Sequence, residues 1–174
     1  MNIIICGCSG SGKTTAIKRV LAGARESIYG FWTEKLAEDL QTGVAPVYIH
    51  GCCEQLSFAE DHQIGTCANC CAGKHPEVFD TTGVELLRGI PQGSLVLMDE
   101  IGVMEDAAKR FTSRVFELLD GDYRVIVAVR DRETPLLDAI RGHKKSLCVT
   151  AQEANNQMSD AVSVCVLVFI LVCY

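Results

Sequence analysis

The sequence predicts an α/β fold: a mostly parallel sheet with helices on both faces. Two observations carry the prediction. Short apolar runs alternate with helix-prone segments, which is the order of a parallel sheet whose crossovers are helices. The runs themselves, Ile3-Ile4-Ile5 and Leu95-Val96-Leu97-Met98 among them, are continuously apolar, as strands buried on both faces require. With 174 residues, 48% of them hydrophobic, the chain is long enough to bury about 70% of the surface it exposes when unfolded. One domain over residues 1–174 is expected.

In chain order, strands are expected at about 2–6, 28–33, 44–49, 94–98, 124–129 and 146–149. Helices are expected at about 13–23, 82–89, 106–119 and 134–141. Gly121-Asp122 ends the third helix ahead of its strand, and Pro135 suits the first turn of the fourth. Residues 50–76 read as a cysteine-rich insertion, a long loop with little apolar content. The segment 161–174, AVSVCVLVFILVCY, has no charge. As a helix it would span about 21 Å against a hydrocarbon core of about 30 Å. Its valines and isoleucines favour a final strand, buried, at an edge or shared with another chain, over a membrane or partner contact.

Between the first strand and the first helix stands Gly7-Cys8-Ser9-Gly10-Ser11-Gly12-Lys13-Thr14, the full G-x-x-x-x-G-K-[ST] pattern, followed by Thr15. Glycines let the backbone approach phosphate oxygens closely, so that successive N–H groups and the positive end of the next helix point at one anion. Lys13 is placed to reach the β- and γ-phosphates, and Thr14 to hold the magnesium that bridges them. The run Leu95–Met98 ends in Asp99-Glu100. Carboxylates at a strand's C-terminal end face the ligand crevice of an open α/β sheet. Asp99 is therefore expected to hold magnesium through its water shell, and Glu100 to polarise a water in line with the γ-phosphate.

Three segments together resemble the small nucleoside-triphosphatases of thermophilic bacteria and their human "cancer-related" relative. They are Gly7 to Thr15, Gly30-Phe31-Trp32-Thr33-Glu34 and Asp99-Glu100-Ile101-Gly102-Val103-Met104-Glu105. The resemblance extends over residues 1 to about 150. It implies a RecA-like P-loop core, in which the strand carrying the acids does not follow the phosphate-loop strand in sequence. It also implies slow, magnesium-dependent hydrolysis of several nucleoside triphosphates, and a place near the site for Phe31, Trp32 and Glu34. Two departures stand out. Lys35-Leu36-Ala37-Glu38-Asp39-Leu40 lacks the arginine of the family's hairpin, and Val149-Thr150 precedes Ala151 to Asn156 where the family tends to have an Asn-Arg pair.

A transition-state cation is expected from Arg130 or Arg132, which follow the strand at 124–129 and emerge on the same sheet edge as Asp99. Lys109 and Arg110 come second. In the insertion, Cys53, Cys67, Cys70 and His75 are a possible tetrahedral zinc set, with free thiols and redox disulfides as the alternatives. A net charge of −6 excludes a global positive field for nucleic acid or anionic lipid. Met1 leads into Ile3-Ile4-Ile5-Cys6 without a secretory pattern, so a cytoplasmic place and reduced thiols are expected. Hydrolysis of nucleoside triphosphates by a Glu100-activated water is the leading reading. A nucleotide or small-molecule kinase and a nucleotide-gated interaction module are the alternatives.

Overall fold

The computed structural model describes residues 2–68 and 71–157. Its strands are β1 (Asn2–Gly7), β2 (Ile28–Lys35), β3 (Ala45–Gly51), β4 (Gln63–Ala68), β5 (Cys71–Lys74), β6 (Leu95–Ile101), β7 (Arg124–Arg130) and β8 (Ser146–Thr150). They join in one sheet, in the order β5-β4-β3-β2-β6-β7-β1-β8. From β2 through β8 the pairs are parallel, and β2-β3-β4-β5 is an antiparallel extension. The expected α/β sheet with a parallel core is present, its antiparallel extension makes it mixed, and β7 lies between β1, which leads into the glycine-rich loop, and the acid-bearing strand β6.

The continuous apolar runs serve two cores at once. Ile3 and Ile5 of β1, Leu95 and Leu97 of β6, and Ile126 and Ala128 of β7 pack beneath α1 (Lys13–Leu21), together with Ala151 and Ala154 of α6 (Ala151–Gln157). The intervening residues Ile4, Val96, Met98, Val125 and Val127 face the other way. There they meet α4 (Lys109–Asp120) and α5 (Pro135–Arg141). Phe111 of α4 sits at the middle of that side, with ring centroids 5.6 Å from Phe31 and 5.1 Å from Phe79. Alternation of side chains along a strand divides each apolar run between two helical layers.

Two expectations need correction. The insertion is not one long loop, because β4 and β5 pair antiparallel and extend the sheet beyond β3. The helix expected at 82–89 begins earlier: α2 (Pro76–Val78), a π turn (Phe79–Gly83) and α3 (Val84–Leu86) follow one another. Pro76 occupies the first helical turn, where its missing N–H costs nothing. Gly83 lies against Phe111, where a β-carbon would already be 3.0 Å from the ring. The expected apolar strand at 161–174 lies outside the described residues.

Candidate active site

β1 ends at Gly7 and α1 begins at Lys13, so the glycine-rich loop is the whole connection between an interior strand and a helix N-terminus. Gly12 has φ 91°, a left-handed conformation that suits glycine. A β-carbon there would also stand 2.9 Å from Asn155 Nδ2. No side chain caps α1, which leaves N–H donors of its first turn for an anion. The Ser11 hydroxyl is buried with no hydrogen-bond partner, a group that a ligand oxygen would satisfy.

Lys13 is almost fully buried, at 4% exposure. Its Nζ donates to the carbonyls of Gly7 at 2.7 Å and Cys8 at 2.8 Å, and pairs with Glu100 Oε2 at 3.0 Å. Arg130, at the end of β7, donates to Glu100 Oε1 through Nε at 2.8 Å and through Nη2 as well. Glu100 is thus held between two cations. The β6–β7 register shifts between Met98 and Ile101, so that neither acid has a register partner on β7, and the peptide joining the two acids is cis. The Glu100 N–H donates to Thr33 Oγ1 at 3.3 Å.

Asp99 is 6% exposed. Burial pushes its carboxyl above the usual range, a hydrogen bond with the Thr14 side chain opposes that shift, and the Glu100 charge adds to it. Glu105 is buried too, and its Oε2 accepts from the Gly102 N–H at 2.9 Å. Desolvation pushes its carboxyl up to about 7. All four groups, Thr14, Asp99, Glu100 and Glu105, line one cavity of about 390 Å³ with Gly10, Gly12, Lys13 and Arg130.

The structure separates other residues that the sequence groups. Arg130 lines this cavity, whereas Arg132, Lys109 and Arg110 are exposed and do not. The Arg132 carbonyl instead accepts from Arg141 Nη2 at 2.6 Å. Phe31 is core, while Trp32 lies opposite Asp99 in the β2–β6 register. Glu34 Oε2 faces the buried His50 Nε2 at 3.5 Å. Among the described residues no three His, Cys, Asp or Glu side chains cluster as a metal site. The Cys53 thiol donates to the Ile28 carbonyl, Cys67 lines the cavity at the glycine-rich loop, and His75 pairs with Glu77. Cys70 lies outside the described residues. No helix among the described residues is long and apolar enough to cross a membrane.

Sequence reasoning missed α6, whose Asn155 Nδ2 donates to the Gly12 carbonyl at 3.2 Å. The signal was present as Thr150-Ala151-Gln152-Glu153. Thr150 Oγ1 accepts from the Glu153 N–H, and Glu153 Oε2 accepts from the Thr150 N–H, a reciprocal capping box.

A family model described as NTPase matches residues 2–162. The chain belongs to the NTPase family. That membership makes it an enzyme of the nucleoside-triphosphatase kind, as the three motif segments led one to expect. The nucleoside-triphosphatase THEP1 of Thermotoga maritima is 25% identical over 160 residues, 89% of this chain and 88% of the relative. THEP1 of Aquifex aeolicus is 26% identical over 155 residues, 81% and 84% of the two chains. Among solved structures, the crystal structure of THEP1 from Aquifex aeolicus superposes with a TM-score of 0.65 at 22% identity, covering 94% of this chain and 98% of the other. The solution structure of a human cancer-related nucleoside triphosphatase gives 0.60 at 22%, covering 95% and 96%. Both carry the same fold class as this NTPase.

Proposed function

We propose that this NTPase hydrolyses nucleoside 5′-triphosphates to the diphosphate and phosphate with magnesium, through a water activated by Glu100. One observation carries the reading: Lys13 and Arg130 converge on a single carboxylate inside the cavity that the glycine-rich loop opens onto. Two cations that gather around an anion from opposite sides are placed to receive phosphate oxygens instead. The residues also fit magnesium, because Thr14 and Asp99 offer hard oxygen donors bonded to each other at the cavity wall. When bound, magnesium would neutralise charge on the β- and γ-phosphate oxygens.

The chain's own groups divide the work. Backbone N–H groups of the loop and the start of α1 bind the β-phosphate, and Lys13 orients the β- and γ-phosphates. As phosphate takes over Lys13 and Arg130, Glu100 is released from both and accepts a hydrogen bond from the attacking water. Arg130 then stabilises charge that gathers on the γ-phosphoryl oxygens.

The test is an incubation with each of the four nucleoside triphosphates and magnesium, with and without acceptor hydroxyl compounds, following free phosphate and the phosphorylated acceptor. Release without acceptor supports hydrolysis, and product formed only on an acceptor makes the chain a kinase. Lys13→Ala is expected to weaken triphosphate binding, and Glu100→Gln to retain binding while release stops. Retained turnover in Glu100→Gln would remove Glu100 from its role.

A further inference from the structure

Behind the glycine-rich loop, two thiols lie closer together than the proposed hydrolysis has any use for. Cys6, near the end of β1, and Cys148, in β8, have their sulfurs 3.1 Å apart. The register pairs Ile4 with Cys148 and Cys6 with Thr150, so the side chains meet on a diagonal between adjacent parallel strands. Cys148 is exposed and Cys6 half-buried. Cys6 also borders a second cavity, of about 560 Å³, with Gly7, Ser11, Thr150 and Asn155. A small oxidant therefore reaches this pair along the rear of the phosphate loop.

We propose that Cys6 and Cys148 are a redox-modification site, closing to a reversible disulfide that weakens the loop's hold on nucleotide. The second half of the proposal rests on the nucleotide-binding reading above, and the first half does not. With hydrogen peroxide as oxidant, the Cys148 thiolate attacks one peroxide oxygen, the O–O bond breaks, and the departing hydroxide takes a proton to leave as water. Cys148 is then a sulfenic acid. The Cys6 sulfur gives up its proton and attacks the Cys148 sulfur, the S–O bond breaks, and a second water leaves. Two thiols have lost two electrons and peroxide has been reduced to two waters. Burial pushes the Cys6 thiol up to about 12, which keeps it protonated and makes it the resolving partner rather than the first to react.

The consequence for the loop follows from what β8 carries. A disulfide brings the sulfurs to about 2.05 Å, a closure of about 1 Å from the present 3.1 Å that rotation of the two side chains and a shift of β8 toward β1 share. β8 runs directly into α6. Ala151 of that helix packs on Gly7, where its β-carbon lies 3.3 Å from the position a Gly7 β-carbon would take, and Asn155 donates to the Gly12 carbonyl. Both ends of the glycine-rich loop therefore touch the helix that continues from the strand the disulfide would tie down.

The test treats the full chain with hydrogen peroxide, maps linked peptides without reduction by mass spectrometry, and measures the Kd for a fluorescent triphosphate before and after. Mapping is needed because the chain has ten cysteines. A Cys6–Cys148 link is expected, with a Kd raised about two- to tenfold, the worth of one hydrogen bond, and restored by dithiothreitol. Cys148→Ser and Cys148→Ala are expected to bind triphosphate as the reduced chain does and to ignore peroxide, while Cys53→Ser still responds. A different dominant pairing, a persistent sulfenic acid without a link, or a link that leaves Kd unchanged would overturn the proposal. If the reduced chain binds no triphosphate, the nucleotide reading has failed, and the peptide map still decides whether the disulfide forms.

Discussion

Glu105→Gln is expected to make stability less dependent on pH. Glu105 is 2% exposed and its carboxyl is raised from 4.5 to about 7 by burial, with the Gly102 N–H as its hydrogen-bond donor. Between those two values the folded chain keeps a proton that the unfolded chain has released. Stability therefore falls as pH rises through this window and levels off above about 7. At 1.36 kcal/mol per unit, this single group costs about 3 kcal/mol at pH 8 relative to pH 4. Glutamine keeps an oxygen for Gly102 and has nothing to ionise. Urea unfolding of both proteins from pH 4 to pH 8 reads the effect as the difference between the two curves, in which titrations of groups remote from Glu105 cancel. The variant is expected to gain about 3 kcal/mol on the wild type across that range. Parallel curves would refute the argument, since they would mean that Glu105 is ionised in the folded protein as readily as in water.

Arg130→Ala is expected to slow phosphate release by about 10³-fold or more, the range of an arginine that stabilises phosphoryl transfer. Arg132→Ala, on an exposed residue, is expected to stay within about twofold in the same assay. Gly30→Ala is expected to destabilise the fold by about 3 kcal/mol or more in urea unfolding. Its φ is 94°, and a β-carbon there would strike the Leu97 carbonyl oxygen of the neighbouring strand. Thr150→Ala removes half of the capping box at α6 and is expected to cost about 1 kcal/mol, read as a lower thermal midpoint.

The sequence was most legible where a function depends on a contiguous stretch. Gly7 to Thr14 specifies its own turn and helix start, and Leu95 to Glu100 specifies a buried strand with acids at its end. The convergence of Lys13, Glu100 and Arg130 could be expected from strand ends alone, but the choice of Arg130 over Arg132 could not. Arg130 is the last residue of β7 and keeps the strand's alternation, whereas Arg132, two residues on, has left the strand and takes its direction from the loop. The β4–β5 hairpin was hidden because Gln63-Ile64-Gly65-Thr66-Cys67-Ala68 is short and has a glycine inside. Glycine is there for a reason that no local pattern reveals: a β-carbon at Gly65 would strike the Gly73 carbonyl oxygen across the ladder. The π turn at Phe79–Gly83 similarly answers to Phe111, far along the chain.

The sheet order has a bearing on how the protein comes into being. The strand that launches the nucleotide loop is among the first residues synthesised, yet its two lateral neighbours are β7 and β8. A nascent chain that has reached only residue 120 lacks both of the strands that flank β1 in the fold. The loop's grip on the outer side arrives later still, with Asn155, 143 residues away from Gly12. Closing so wide a separation comes late and slowly. A ribosome midway through this message therefore carries the whole phosphate signature and no working pocket, and triphosphate is captured only once the far half of the molecule has threaded in beside the near one.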